Sequence, residues 1–403
     1  MSEHVAQRWA VVMTAFVLLL ATGCGGGDGA EGGDAPRWRL DYVSASRDAH
    51  LHELAAVSAD EGWALATETR KNGDERELLL HRDGASWRRA PLPPPLRAEK
   101  GAQLGGALLE ASSPDDVWLF ANGLGADDST AGDPGAMRWD GDRWRRTTVD
   151  FSTRDVAVVA PDDAWALDAS STRPLAHHWD GVRWTGHHLP TDYVFSLSAS
   201  GPEDVWAVGV DDEGQPAAAH FDGTTWRPTP VPGYRARDPR PEPEAPLVEV
   251  VALAPDNAWA FGSHSYETEA GSRVPHTPFA LHWDGTRWRE AHRAVDTSKA
   301  PAGSAVQTCG DGAGGFVLGS LRGGEQHRTA KGALRVIQDP EAVADRSGKI
   351  TEKHRRHQHF EVYDLELVPG TREIWAAGAV GVARLHGDAS FARGAIASYS
   401  MTD

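Results

Sequence analysis

The stretch Tyr193–Trp226 reads YVFSLSASGPEDVWAVGVDDEGQPAAAHFDGTTW, and its pattern recurs along the chain. An apolar segment is followed by a Pro-Glu-Asp turn, a second apolar segment with Trp206, a third that ends at Phe221, an Asp-Gly turn and Trp226. Proline presets φ for a tight turn, and aspartate stabilises it. Asp-Gly between apolar segments predicts a type I′ hairpin, in which both central residues have positive φ. Each unit is therefore predicted to form four short antiparallel strands.

Five copies of this unit are complete, and two more are degenerate. One aromatic residue marks the second segment of each copy: Trp63, Trp118, Trp165, Trp206, Trp259, Phe316 and Trp375. Successive markers are 55, 47, 41, 53, 57 and 59 residues apart. Four-stranded units repeated in this way are typical of β-propellers, where each blade stacks on its neighbours to bury its faces. The sequence predicts an all-β propeller of seven four-stranded blades, with six or eight as alternatives.

The chain has 16 tryptophans, and most of them stand at repeat positions. A buried tryptophan removes roughly 150–250 Å² from water, which makes it a strong core residue. Because a residue type that recurs in every unit serves what all units share, we assign these side chains to the core and not to a sugar-binding platform. The assigned residues are Trp63, Trp87, Trp118, Trp144, Trp165, Trp184, Trp206, Trp226, Trp259, Trp288 and Trp375.

The two ends of the chain are predicted to meet. The last unit, near Tyr363–Ala392, lacks a fourth strand with its own tryptophan, whereas Trp38 precedes the first full unit. We expect Trp38 and its neighbours to supply the missing strand, because ring closure removes exposed sheet edges. The predicted division is a signal peptide at 1–23, a Gly-rich tether at 24–36, one propeller at 37–397 and a tail at 398–403.

The N-terminus predicts export from the cytoplasm. Ala10–Ala21 is a mostly apolar run of 12 residues, too short as a helix to cross the roughly 30 Å core of a bilayer. The segment Leu20-Ala-Thr-Gly-Cys24 resembles the lipobox of bacterial lipoproteins, although Ala21 stands where that family prefers leucine. The resemblance implies acylation of Cys24, with palmitate as one of the fatty acids, and attachment to the extracytoplasmic face of the cell membrane. A plain secretory peptide is the alternative.

Composition and motifs exclude several functional classes. The formal net charge of −18 argues against a general nucleic-acid binder. Two cysteines, Cys24 and Cys309, cannot build a disulfide scaffold or a Cys-based zinc module. The sequence has no G-x-S-x-G, no H-E-x-x-H and no P-loop. No catalytic residue or cofactor is predicted, and we expect Cys309 to be a buried, inert thiol and not part of a copper site.

Histidine is abundant, at 18 residues, but no metal site is predicted. The repeated histidines precede the Asp-Gly turn in different units, so we expect them to be structural; they are His81, His178, His220 and His282. His357 and His359 would share one face of a strand. They belong to a basic segment, 322–360, in which neighbouring Lys and Arg repel a cation. A solvated edge and a site for an acidic partner or glycan both stay open for this segment.

The D-x-W-A-x-G and W-D-G-x-x-W units resemble those of secreted bacterial β-propeller proteins, which are related in architecture to galactose-oxidase and kelch-type propellers. The resemblance covers residues 37 to about 395 and implies a fold, but hardly an activity. Two functional classes therefore remain. The first is a lipid-anchored, extracytoplasmic module that binds a protein or a glycan. The second is an extracellular enzyme, carbohydrate-active or similar, with its site at the mouth of the central channel.

Two expectations separate these classes. The short turns share one face of the ring, while long and variable connections lie on the other, at Ala121–Gly135, Tyr234–Pro246 and Ser263–Pro278. Insertions on one face of a repeat protein often mark its binding face, with neutral drift as the alternative. Repetition favours the binding module, acting through these loops. Several unique Asp, Glu, His or Arg side chains converging on the channel would favour the enzyme.

Overall fold

Every regular element is a β-strand in the residues that the computed structural model describes. These are residues 35–46, 48–70, 73–93, 107–124, 133–171, 173–234, 244–265, 277–296, 306–320, 324–344, 357–382 and 391–401. Within them, 28 strands form seven antiparallel sheets of four strands each. The predicted propeller of seven four-stranded blades is confirmed.

Consecutive strands build each blade, and only the last blade takes a strand from elsewhere in the chain. Blade 1 contains β2 (Ala49–Ala56), β3 (Glu61–Thr69), β4 (Glu75–Asp83) and β5 (Ser86–Ala90). Blade 2 contains β6 (Leu108–Ser113), β7 (Asp116–Leu124), β8 (Asp133–Trp139) and β9 (Trp144–Thr147). Blade 3 contains β10 (Thr153–Ala160), β11 (Asp163–Asp168), β12 (Leu175–Trp179) and β13 (Trp184–His188). Blade 4 contains β14 (Tyr193–Gly201), β15 (Asp204–Val210), β16 (Pro216–Phe221) and β17 (Trp226–Thr229).

The second half of the ring follows the same order. Blade 5 contains β18 (Leu247–Ala254), β19 (Asn257–His264), β20 (Thr277–Trp283) and β21 (Trp288–Glu290). Blade 6 contains β22 (Val306–Gly310), β23 (Phe316–Ser320), β24 (Gln326–Arg328) and β25 (Leu334–Val336). Blade 7 contains β26 (Gln358–Leu367), β27 (Glu373–Val382), β28 (Phe391–Ser400) and β1 (Arg39–Val43).

The strand β1 closes the ring. It pairs antiparallel with β28 and so becomes the fourth strand of blade 7. Trp38 is buried beside it, with its ring edge-on to Phe360 and Tyr399 at centroid distances of 6.0 and 5.9 Å. Closure by the N-terminal segment, as predicted from Trp38, is confirmed. Ordered structure continues past residue 397, because β28 runs to Ser400 and Met401 is buried.

The Asp-Gly turns differ from the predicted type I′ form. Among the described residues of these turns only glycine has a positive φ, which is 88° at Gly181. Oδ1 of Asp180 accepts the N–H groups of Val182 and Arg183, both at 2.9 Å. A single positive φ, at the first central position, fits a type II′ hairpin. The prediction of two positive φ values is wrong because the aspartate precedes the turn and stabilises it through its side chain.

Aromatic residues lock each blade to the next. Trp206 in blade 4 lies 4.9 Å, between ring centroids, from both Trp283 and Trp288 of blade 5. Equivalent contacts join blades 1 and 2, 2 and 3, 3 and 4, and 7 and 1. Nine of the eleven tryptophans assigned to the core are buried, and Trp144 and Trp184 are half-buried. The core of this protein therefore lies between blades, in a ring around the axis.

Candidate functional site

A cavity of about 460 Å³ lies on the axis of the propeller, and the first strands of all seven blades line it. Six carboxyl side chains belong to this lining: Glu53, Glu110, Asp155, Glu249, Asp364 and Glu366. All six are half-buried. A carboxyl group is rare in such a place because burial disfavours its charge, so the local structure must explain each of them.

Bulges in the first strands place most of these polar residues. In five blades the pairing between the first and second strands contains a one-residue shift that is followed by a polar residue. A bulge re-aims a side chain out of the regular alternation. The re-aimed residues are Glu53, Asp155, Ser196, Glu249 and Asp364.

The glycine of the D-x-W-A-x-G motif makes room for the bulge. In blade 4, a Cβ atom on Gly209 would lie 1.9 Å from the carbonyl oxygen of Tyr193 in the first strand. In blade 7, a Cβ atom on Gly378 would lie 2.0 Å from the carbonyl oxygen of Glu361. No larger residue fits there unless the first strand moves away. In these two blades the glycine of the motif therefore accommodates the bulge, and the bulge sets the direction of the polar side chain.

The re-aimed side chains join neighbouring blades. Asp155 accepts the N–H of Leu197 in the next blade at 2.6 Å, and Asp364 accepts the N–H of Leu54 at 2.7 Å. The other three contacts are Glu53 with the Leu109 N–H at 3.2 Å, Ser196 with the Val250 N–H at 3.3 Å, and Glu249 with the Thr308 hydroxyl at 3.0 Å. Five of the seven junctions around the channel are thus bridged by the same device.

Glu110 and Glu366 do not belong to this device. Each pairs, across the first two strands, with the marker tryptophan of its blade, Trp118 or Trp375. The same position holds Ala55, Ala157, Ser198 and Val251 in blades 1, 3, 4 and 5. These two glutamates are therefore departures from the repeat and not part of it.

Burial is the largest cause that raises the pKa of every carboxyl group in the cavity. It raises the pKa of Asp155 to about 6 and that of Asp364 to about 7. The pKa values of the four glutamates lie well above 4.5, and the charges of neighbouring carboxylates add to the shift. Opposing charges are few: Arg154 acts on Asp155, and His52 acts on Asp364. The glutamates of the cavity therefore keep their protons to a higher pH than exposed glutamates do.

A second polar group adjoins the cavity in blade 7. The Tyr363 hydroxyl donates to Glu361 at 2.9 Å, and His359 Nε2 contacts the other oxygen of Glu361 at 2.9 Å. The hydrogen bond and charge of Glu361 raise the pKa of His359, and His359 in turn lowers the pKa of Glu361. Tyr363 also lines the cavity, together with the Arg154 guanidinium, which lies 5.9 Å from the ring centre of Phe195.

The repeated histidines pack inside their own blades. Each ring lies against the marker tryptophan of its blade, at centroid distances of 3.9 to 4.4 Å for His81, His178, His220 and His282. His220 also contacts Asp204 at 2.6 Å, so this pair fixes the start of the second strand against the third. Each of the four histidines thus contacts the marker tryptophan of a different blade. In the described residues, no three His, Cys, Asp or Glu side chains are arranged to hold one metal ion.

Of the two cysteines, the three long loops and the basic segment named in the sequence analysis, the structure describes only a part. Cys309 is buried in the first strand of blade 6 and lines the cavity, and burial raises the pKa of its thiol. Cys24 lies outside the described residues, as do 125–132, 235–243 and 266–276, the middle parts of the three predicted binding loops. Of the basic segment 322–360, residues 324–344 and 357–360 are described.

The sequence analysis missed the carboxyl groups of the cavity. Their signal is a single acidic residue inside an otherwise apolar first strand, as Glu249 stands in LVEVVALA at Leu247–Ala254. This signal is weak, because the acidic residues of the repeated turns are more numerous than those of the first strands. Two further facts were needed, namely that the first strands face the axis and that a bulge turns these side chains.

Comparison with known proteins supports the fold alone. No protein-family model matches the sequence, and neither does any curated protein. YCF48 from Cyanidioschyzon merolae is 11% identical, with a TM-score of 0.51 over 90% of this chain and 99% of that one. YCF48 bound to a D1 peptide is 11% identical, with a TM-score of 0.48 over 92% and 97%. A PL25 ulvan lyase bound to a sugar fragment is 10% identical, with a TM-score of 0.49 over 84% and 93%.

The part of the chain that the structure describes contains no helix long and apolar enough to span a membrane.

Proposed function

We propose that the protein is an extracytoplasmic binding module, attached to the cell membrane by a lipid on Cys24, and that its ligand enters the axial cavity. One observation carries this proposal. The polar residues of the cavity fall into a recurring group, which forms hydrogen bonds between blades, and a group that occurs once and, among the described residues, forms no such hydrogen bond. Residues that recur serve the fold, so those that occur once are the candidates for ligand contact. They are Glu110, Glu366, Arg154 and Tyr363.

The division between bridging and non-bridging polar groups in the cavity favours a binding function over a catalytic one. Unique side chains converging on the channel were expected of an enzyme, and the cavity does hold several. However, Glu53, Asp155 and Asp364 already accept hydrogen bonds from the next blade. A carboxyl group that bridges two strands is fixed in place and less able to follow a reacting atom. Glu110, Glu366, Arg154 and Tyr363 are the unique polar groups that remain, and they are suited to binding a ligand.

A glycan is the ligand class that these groups suit. Burial raises the pKa of Glu110 and Glu366, so each keeps its proton to a higher pH than an exposed glutamate, and a protonated carboxyl group can both donate and accept a hydrogen bond. Sugar hydroxyls need both. Phe195 and Tyr363 add aromatic surface, and the volume of about 460 Å³ falls within the usual range for small-ligand pockets. A segment of another protein is the alternative partner.

Membrane attachment is supported by the sequence of the N-terminus. The lipobox-like segment ends at Cys24, and the Gly-rich stretch that follows would act as a flexible tether. The described propeller begins at Ala35, close behind this stretch. An anchored propeller of this kind would stand a short distance from the membrane, with its cavity accessible from outside the cell.

Binding of residues 25–403 to an array of cell-envelope glycans tests the proposal. Glu110→Ala and Glu366→Ala should each lower the signal at least about tenfold, while Glu213→Ala, an exposed residue on the β15–β16 connection, should not. Thermal melts establish that the variants fold. Unchanged binding by both cavity variants would place the ligand elsewhere.

Catalysis at the channel is the second candidate function. The observation that favours it is the pKa of Asp364, about 7, because a carboxyl group that titrates near neutral pH can serve as a general acid. New reducing ends or unsaturated sugar products, formed from envelope polysaccharides by the purified protein, would support an enzyme. Asp364→Asn should then abolish product formation while glycan binding persists. A protein that binds a glycan and releases it unchanged supports the module.

A further inference from the structure

A carboxyl group is buried at the seam where the ring closes, beside the indole N–H of Trp38. Glu325 immediately precedes β24 of blade 6, and 1% of the residue is exposed. Among the residues that the structure describes, neither of its carboxyl oxygens has a partner in full hydrogen-bonding geometry. An ionised carboxyl group in such a position costs several kcal/mol, so a protein normally avoids it or neutralises it. Glu325 is therefore a feature that the fold itself does not require.

The N-terminal segment passes directly over this carboxyl group. The N–H of Trp38 donates to the carbonyl oxygen of Gln338 at 3.1 Å, and the N–H of Gln338 donates to that of Pro36 at 2.8 Å. Arg37 adds hydrogen bonds to the side chain of Gln338 and to the carbonyl oxygen of Asp339. The chain then enters β1 and joins blade 7. The segment thus connects blade 6 with blade 7, and Glu325 lies beneath it.

The groups around Glu325 define its charge. Burial is the largest effect and raises its pKa to about 8, and the carboxylate of Asp339 raises it further. The backbone of Glu325 itself, the indole N–H of Trp38 and the charge of His359 act in the opposite direction. His359 is itself engaged by Glu361 at 2.9 Å. Within the described part of the chain no cation forms an ion pair with Glu325, so loss of its proton leaves a buried charge that no paired cation offsets there.

We propose that Glu325 is a proton-controlled latch on the closure of the propeller ring. In its protonated form it is neutral beside Trp38, and the seam between blades 6 and 7 stays shut. In its ionised form it draws water into the seam and releases the segment from Pro36 to Val43. Release of β1 leaves β28 as the unpaired edge of blade 7, because β28 has no other partner on that side.

The sign of the effect follows from the two pKa values. The carboxyl group titrates near 4.5 in the open, hydrated state and near 8 in the closed state. Between these values the open state binds fewer protons, so closure weakens steadily as the pH rises. The latch is tightest below pH 4.5, weakens across the range from 4.5 to 8 and changes little above pH 8. An ordinary paired carboxylate would behave in the opposite way, because its pKa is lowered on folding.

Hydrogen exchange read by mass spectrometry tests the latch on the full chain in detergent. After correction for intrinsic exchange, protection of β1 should fall at least about tenfold between pH 6 and pH 9, while β15 in blade 4 stays protected. Glu325→Gln should remove this pH dependence. Glu373→Gln is the matched control, because it deletes a surface ion pair between Arg39 in β1 and β27 and should leave the pH dependence intact.

Two outcomes overturn the latch: wild-type β1 equally protected at both pH values, or the same loss of protection in wild type and in Glu325→Gln. Should Glu325→Gln not fold, Trp38→Phe replaces it. This change keeps most of the ring but removes the indole N–H that favours the ionised form, so the midpoint of β1 release should move to higher pH. A midpoint that stays in place or moves down contradicts the proposal.

Discussion

Replacing Trp206 by alanine tests whether the repeat tryptophans hold the blades together. Its side chain is fully buried, packs between Trp283 and Trp288 of the next blade and stacks on His220 of its own. Truncation of a buried tryptophan leaves a cavity and costs about 3–5 kcal/mol. With an unfolding entropy of about 2.1 cal/mol/K per residue over roughly 360 residues, this corresponds to a Tm about 4–7 °C lower.

Differential scanning calorimetry of residues 25–403 measures this shift. Tyr193→Ala is the matched control, because Tyr193 is an aromatic residue of the same blade that is 59% exposed, and its removal should change Tm by about 1 °C or less. A Tm for Trp206→Ala that equals that of the control would refute the core role. So would a fully folded Trp206→Ala protein that no longer binds a ligand while variants of the long loops still bind it.

Four further predictions concern the anchor, the closure, the cavity and the loops. Cys24→Ser should release the protein from the membrane fraction or block its maturation, and wild-type membrane retention on fractionation would contradict the lipobox. Deletion of residues 25–44 removes β1 and Trp38 and should lower Tm by many degrees; an unchanged midpoint would mean that the ring closes in another way. Because folding raises the pKa of Asp155 to about 6, stability should fall by about 3 kcal/mol as the pH rises from 4 to 6, and urea titrations of Asp155→Asn should show a flatter profile. If the long loops contribute to binding, grouped substitutions in their middle parts, 125–132, 235–243 and 266–276, should weaken binding without changing Tm, and full binding by these variants would exclude the loops.

The fold could be predicted from the sequence because the same pattern of strands and turns recurs along the chain. One copy such as Tyr193–Trp226 suggests four strands, but seven copies specify how the units stack. The closure was accessible for a related reason: blade 7 lacks a fourth strand, and Trp38 stands where no complete unit begins. Because one end of the chain lacks a strand and the other end has an extra one, the sequence predicts that the two ends pair.

The turn geometry and the carboxyl groups of the cavity could not be predicted from the repeat pattern. The dipeptide Asp-Gly has the same letters in type I′ and type II′ hairpins, and only the position of the strand ends separates them. The bulges depend on a carbonyl oxygen packed against Gly209 or Gly378, which no pattern of residue types records. Glu110 and Glu366 are single letters in apolar strands, and their significance depends on the axis around which those strands are arranged.

The accessibility of Cys309 gives the most direct test of the central claim, which is that the ligand occupies the axial cavity. Cys309 lines this cavity and is the single cysteine of residues 25–403. Burial and the raised pKa of its thiol make modification slow, so reaction with excess of a small neutral methanethiosulfonate is followed over hours by intact-protein mass spectrometry, with and without a saturating glycan identified on the array. A ligand in the cavity should slow modification at least about tenfold. An unchanged rate under saturating ligand would show that the glycan binds elsewhere and that the cavity is not the site.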